Sequence, residues 1–393
     1  MKVAVIIERY DISLGGAEWL VFELASALTQ LGADVDILAA HGDNTAANAR
    51  ILCQTGHTKR ISLSSFTKLI SHYLKQNNYD IIHSVVPLNF ADVYQPPGGS
   101  FAEATIRNAA SYRNKLVISY KKATAFTNWR RTEMLWAEKR ICRNPNGPLI
   151  AALSNYVKEQ FENHYGLDSE RIALIPNGVK VDNDVDPGSA QKLKTQIIEQ
   201  LAIKSSTNPV FLLFGANNFR LKGLDVLLEA LALLSSSQTL RPIYLIVAGG
   251  GKINKYRCIA RKLNLDKQVI FLGHVQNIQN AMSISDVAVL PTFYDPCSRY
   301  ILEALAACKP VITTKFNGAT DFFINNRHGK VVDAPEDISA LADAISYFTD
   351  TKNIQKASQA IIEDNIKEKI SIRRAGRQLM TVYESILHRK DQK

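Results

Sequence analysis

Two acids stand eight residues apart in PTFYDPCSRYILEALAACKPVITT: Asp295 in a loop, and Glu303 in the first turn of the helix expected to follow. A carboxylate accepts two hydrogen bonds side by side, so two such acids beyond one strand can take hydroxyls of a single ligand. The same pair also suits a helix-capping acid and a solvated Glu. Earlier, NNFRLKGLD sets Arg220 and Lys222 at the entry to a helix. Two cations there can neutralise a diphosphate, or they are ordinary surface charges.

Glycines mark the loops where backbone can approach a ligand. Gly15-Gly16 in ERYDISLGGAE lies just before a helix start, where free amides and the positive helix end can meet a phosphate or a sugar hydroxyl; a tight turn is the alternative. Gly249-Gly250-Gly251-Lys252 lacks Walker A spacing and reads as a strand-to-helix turn, and no GxGxxG occurs. Asp182-Asn183-Asp184-Val185-Asp186 reads as a solvated hinge rather than a metal site.

These residues need a scaffold that exposes strand ends. KVAVIIE, GGAEWLVFELASALTQLG, ADVDILAA and YDIIHSVVP alternate strand and helix, which implies a parallel sheet with right-handed crossovers. The pattern restarts after the turn-rich VKVDNDVDPGS, running from PVFLLFGA to PVITT, so two α/β units are expected. An amphipathic helical tail from about Glu363 could cap either one. With 393 residues, 46% hydrophobic and 21% charged, the chain is long enough for two buried cores. Its five scattered cysteines fit neither a disulfide framework nor a zinc site and suit a reducing compartment. The first segment lacks a cleavage site and the apolar length of a span, so neither export nor membrane insertion is expected.

Charge is uneven. Ten basic residues between Arg107 and Arg143 face two acids, Glu133 and Glu138, so most of the net +10 resides there. Tyr112, Tyr120, Phe126, Trp129 and Trp136 are interleaved with them. Cations mixed with interfacial aromatics suit an anionic membrane surface, with a solvated helical pair or a nucleic-acid surface as the other readings.

In this order and spacing the segments resemble a GT-B glycosyltransferase of family 4. The matching residues are Gly15-Gly16, SNYVKEQF with IPNGV at 154–179, FRLKG at 219–223, SDVAVLPT at 285–292, YDPCSRYILEALAACKPVITT at 294–314 and NGATDF beyond it. DVYQPPGG, the basic helical insertion and HYGLDSERIALIPNGV are similar to the bacterial lipopolysaccharide core glucosyltransferase I group. The resemblance implies two Rossmann-like parallel-sheet domains facing across a cleft that closes during turnover. An N-terminal acceptor domain would span 1–182, with a basic insertion at about 100–145. A nucleotide-sugar domain would span 183–365, and a helix at 366–393 would cross back to the N-terminal domain.

It further implies a retaining transferase moving a hexose from a nucleotide sugar, UDP-glucose by group expectation, to a glycolipid or glycan acceptor. No metal would be required, and the enzyme would lie on the cytoplasmic face of an anionic membrane. Lys222 and Arg220 would face the diphosphate and Glu303 the ribose, as the second acid of an E-x7-E motif. Backbone at Val275 would read the base, and Asp295, Cys297, Ser298 and Arg299 would touch the donor hexose. Gly15 and Gly16 would approach the donor, while Glu18, His83 and Asp92 are possible sugar or acceptor contacts, His83 being equally suited to burial. Two departures stand out: Asp295 replaces the motif's first Glu, and Ala216 lies near the place of a usual Arg. Leaving-group departure with attack on the same face would then rest on charge stabilisation of the diphosphate. An inactive GT-B binding subunit and a basic nucleic-acid-binding protein are the alternatives.

Overall fold

The computed structural model describes all residues except 12–14, 43–47, 54–60, 125, 126, 182–184, 205, 206, 236–240 and 393, and the backbone alone at Lys122. Two compact units form. One contains Met1–Ala109, Leu116–Gly178 and Ile372–Lys393; the other contains Ala110–Lys115 and Val179–Ser371.

The first unit runs β1 (Lys2–Tyr10), α1 (Gly16–Gln30), β2 (Asp34–Gly42), β3 (Ala49–Ile51), α2 (Leu63–Gln76), β4 (Ile81–Ser84) and β5 (Val93–Tyr94). It continues with α3 (Phe101–Ala110), α4 (Lys115–Ala123), α5 (Trp129–Arg143), β6 (Leu149–Ala152), α6 (Asn155–Tyr165) and β7 (Ile172–Leu174). The strands pair in parallel in the order β3-β2-β1-β4-β5-β6-β7. Val3 to Ile7 of β1 are buried on both faces, which is why this strand reads as an unbroken apolar run. Helix α6 shows how local chemistry sets ends: the Ser154 hydroxyl accepts from the Val157 amide, and Gly166 closes the helix in the left-handed region.

The second unit runs α7 (Pro187–Gln200), β8 (Val210–Gly215), α8 (Leu224–Leu234), β9 (Ile243–Ala248), α9 (Ile253–Lys262), β10 (Val269–Gly273) and α10 (Ile278–Ser283). Then come β11 (Val287–Leu290), α11 (Arg299–Ala306), β12 (Val311–Thr314), β13 (Gly329–Val332), α12 (Ile338–Tyr347), α13 (Thr351–Glu363) and α14 (Ile366–Lys369). Its parallel order is β10-β9-β8-β11-β12-β13. Each unit is thus a doubly wound sheet. Of the acidic linker cluster, Asp182 to Asp184 lie outside the described residues, and Asp186 caps α7 by accepting from the Gly188 amide.

The last helix, α15 (Ile372–Asp391), belongs to the first unit and lies on α1, where Gly376 faces Ala27. Its Leu379 and Tyr383 are fully buried. Among the described residues no helix is long and apolar enough to cross a membrane.

Candidate active site

In the second sheet the chain leaves β8 toward β9 on one side, and β11 pairs on the other. Loops beyond such a switch point diverge and open a crevice. The loop after β8 ends at Gly223, which caps α8 with φ of +78°; a Cβ there would stand 2.1 Å from the Pro291 carbonyl oxygen. Only glycine lets the two loops touch so closely. This approach delivers Lys222 to the loop after β11. Its Nζ donates to Asp295 Oδ2 at 2.6 Å and to the Tyr294 carbonyl at 2.8 Å. The two side chains retain 19% and 15% exposure, enough to meet a ligand while holding each other.

The second loop is braced from below. Thr313 and Thr314 of β12 donate to the carbonyls of Leu290 and Thr292. Buried Asn317 donates to the Thr313 hydroxyl, while its Oδ1 accepts from the Ser298 amide at 3.1 Å. Asp295 donates its N–H to the Phe316 carbonyl and accepts at its own carbonyl from Gly318 N–H, both at 2.9 Å. Its Oδ1 takes the Cys297 amide at 3.3 Å. The Asp295 main chain is therefore fixed through both its N–H and its carbonyl, and its carboxylate by the Cys297 amide on one oxygen and Lys222 on the other. Ser298, not Asp295, caps α11.

Glu303 departs from expectation. It is the fifth residue of α11, in the second turn rather than the first, because the helix begins only at Arg299. Its Oε1 accepts from Arg299 Nε at 2.8 Å, so these two expected donor contacts already pair with each other. Tyr300 carries no local signal in the sequence. Its buried hydroxyl donates to the Leu213 carbonyl at 2.5 Å, and its ring fills the space a Cβ on Gly215 would need. Burial holds that phenol well above its ordinary pKa. The tyrosine thus locks α11 to β8.

Arg220 is held from an unexpected place. Ser111 and Tyr112, expected within the basic insertion of the N-terminal domain, belong to the second unit with residues 110–115. The Arg220 guanidinium lies 3.9 Å over the Tyr112 ring and donates to the Ser111 hydroxyl. Next to them Arg113, with φ of +63°, forks onto both oxygens of Glu229 at 2.7 and 2.9 Å. Nothing local in the sequence signals these pairings. The Gly249 to Gly251 run is a turn between β9 and α9, with a Cβ at Gly249 excluded by the Ala216 carbonyl. Val275 is half-buried between β10 and α10.

In the first sheet the switch point lies between β1 and β4. Gly15 adopts φ of +132° and opens α1 without a side-chain cap of its own. Exposed Gly16 and half-buried Glu18 follow, and residues 12–14 lie outside the described set. His83 takes the buried alternative. Its Nδ1 shares a 2.7 Å hydrogen bond with the Tyr383 hydroxyl, and burial lowers its pKa to about 4. Asp92 is also engaged, accepting from the Ile82 amide at 2.8 Å and from Lys390 at 2.7 Å.

The basic segment is less charged than its composition suggests. Arg107 pairs with Glu103, Arg113 with Glu229 and Arg130 with Glu8. Glu138 is no solvated acid: it is fully buried, accepts from Tyr94, Tyr165 and the Phe101 amide, and burial pushes its pKa up to about 7. Leu116, Tyr120, Trp129 and Trp136 nevertheless stand exposed, while Phe126 lies outside the described residues.

Two family models match the chain: Glycosyltransferase Family 4 over residues 14–183, and Glycosyl transferases group 1 over residues 195–368. Lipopolysaccharide glucosyltransferase WaaG of Escherichia coli K12 is 23% identical over 341 residues, covering 85% of this chain and 86% of its own. The crystal structure of WaaG superposes with a TM-score of 0.68 at 20% identity, covering 95% of this chain and 94% of that one. Anabaena HepE, solved in complex with UDP-glucose, gives 0.72 at 16% identity, covering 98% and 100%. Two doubly wound sheets, one matched by each family model, make this chain an enzyme of nucleotide-sugar glycosyl transfer that belongs to glycosyltransferase family 4 of the GT-B fold.

Proposed function

We propose that the protein transfers glucose from UDP-glucose, with retention of configuration, to a lipopolysaccharide-core or related glycolipid acceptor at the cytoplasmic face of an anionic membrane. The observation that carries this reading is the Lys222–Asp295 pair, half-open at the switch point of the second sheet. The names of WaaG and HepE support the donor and acceptor classes. Lys222 and Arg220 take up the charge of the departing diphosphate, and Glu303 receives the ribose hydroxyls. Asp295 holds Lys222 and accepts from a hexose hydroxyl. The bond from C1 to the phosphate oxygen breaks as the acceptor oxygen bonds C1 on the same face. The acceptor proton passes to the departing phosphate. Charge stabilisation comes from side chains, and the reading assigns no metal.

Thermal shift against UDP-glucose, UDP-galactose, UDP-N-acetylglucosamine and GDP-mannose tests the donor, and proton NMR of the product tests the anomer. UDP-glucose should stabilise most and give an α-linkage. A β-linked product, or binding without turnover on any glycan acceptor, would overturn the reading. For the membrane, charge reversal at Lys115, Lys121 and Arg131 should abolish sedimentation with anionic vesicles. Arg130 is left intact because its pairing with Glu8 is structural. Unchanged sedimentation would refute this surface.

A further inference from the structure

We propose that a groove of the first unit, between α2, the segment at 87–89 and α5, binds one phosphorylated lipid molecule. Four cations take its phosphate, and an apolar floor takes the start of its chains. The inference deepens the membrane reading above and rests on it for its biological sense.

The groove encloses about 860 Å3, within the roughly 300–1,000 Å3 range of small-molecule sites. Its floor is apolar, made by Leu63, Pro87, Leu88, Ala137 and Ile141. Around it stand Lys68 from α2 and Lys139, Arg140 and Arg143 from α5, none paired with an acid among the described residues. The one acid in the wall, Glu133, is committed to the start of α2, where it accepts from the Leu63 amide at 3.1 Å. Trp136 stands 65% exposed at the rim, with Lys139 Nζ 5.6 Å from its ring centre.

Cations in the last turn of a helix are explained by its dipole, which accounts for Arg140 and Arg143. It does not account for Lys68, which reaches the same groove from another helix. Nor does it account for the apolar floor. A small inorganic anion gains nothing from that floor, whereas each lipid methylene buried there strengthens binding about fourfold. Cations over an apolar recess, with an indole at the edge, match an amphiphile whose charged group and chains diverge at one point.

The full-length chain is titrated calorimetrically with dihexanoyl phosphatidylglycerol below its micelle concentration. Dihexanoyl phosphatidylcholine, inorganic phosphate and a single-stranded oligonucleotide serve as comparison probes. Phosphatidylglycerol should bind at least tenfold more tightly than the other three. Lys68→Glu/Arg140→Glu/Arg143→Glu should weaken it at least tenfold, as should Ala137→Phe, which fills the floor. Both variants should keep the wild-type melting temperature and UDP-glucose binding. Equal affinity for inorganic phosphate, tighter binding of the oligonucleotide, or unchanged lipid affinity in both folded variants would each overturn the groove. Loss of sugar-nucleotide turnover or of vesicle sedimentation in the wild type, with monomeric lipid still bound, would instead refute the readings above and leave the groove standing.

Discussion

Replacing Lys222 by Met removes the ammonium that donates to Asp295 at 2.6 Å while keeping most of the apolar stem. A hydrogen bond from a charged donor to a departing phosphate is worth about 1.5–3 kcal/mol, so kcat/KM should fall roughly 10- to 150-fold. The same change strands the Asp295 carboxylate, 15% exposed, and costs about 1–3 kcal/mol of stability. Adding Asp295→Asn removes the stranded charge. The double variant should therefore recover most of the lost stability but none of the lost transfer, because no cation has returned to the phosphate. Urea denaturation and initial rates at subsaturating donor, run on wild type, Lys222→Met, Asp295→Asn alone and the double variant, separate the two effects. If the double variant regained near-wild-type transfer, the pair would be a structural clasp and the assignment of Lys222 to the leaving group would be wrong.

Glu303→Ala should raise donor KM and lower kcat/KM at least tenfold, about 1.4 kcal/mol, with an unchanged fold by circular dichroism; full activity at low donor would remove Glu303 from the site. Gly223→Ala places a Cβ 2.1 Å from the Pro291 carbonyl at a φ of +78°, and should cost at least about 2 kcal/mol in a denaturation series. His83, with a folded pKa of about 4 against an ordinary 6.5, stays neutral in the fold while the unfolded chain protonates first. Its contribution is present above pH 6.5 and lost as pH falls toward 4, amounting to about 2.5 kcal/mol by pH 4.5. His83→Asn should flatten the stability profile over that window, and parallel profiles would contradict this.

The strand and helix pattern of both units was readable because local spacing fixes it. VFLLFG and VAVL are apolar without a break since both faces of their strands are covered, and FRLKG announces a helix entry through Gly223. The chemical candidates Lys222, Asp295 and Glu303 were visible as residue types in loops and early turns. What brings them into use is not local. Lys222 meets Asp295 across 73 residues, through two loops brought together by the close approach of Gly223 to Pro291 and by the Phe293 amide donating to the Leu221 carbonyl. His83 meets Tyr383 across 300, since the last helix returns to the first unit. Arg220 rests on Tyr112, whose neighbours read as part of a basic insertion. The turn that carries Glu303 depended on which residue capped α11, and Ser298 took that place with the help of Asn317. Propensity and periodicity act over a turn or two of chain, whereas pairing partners are selected by sheet order and packing, to which one-dimensional spacing is blind.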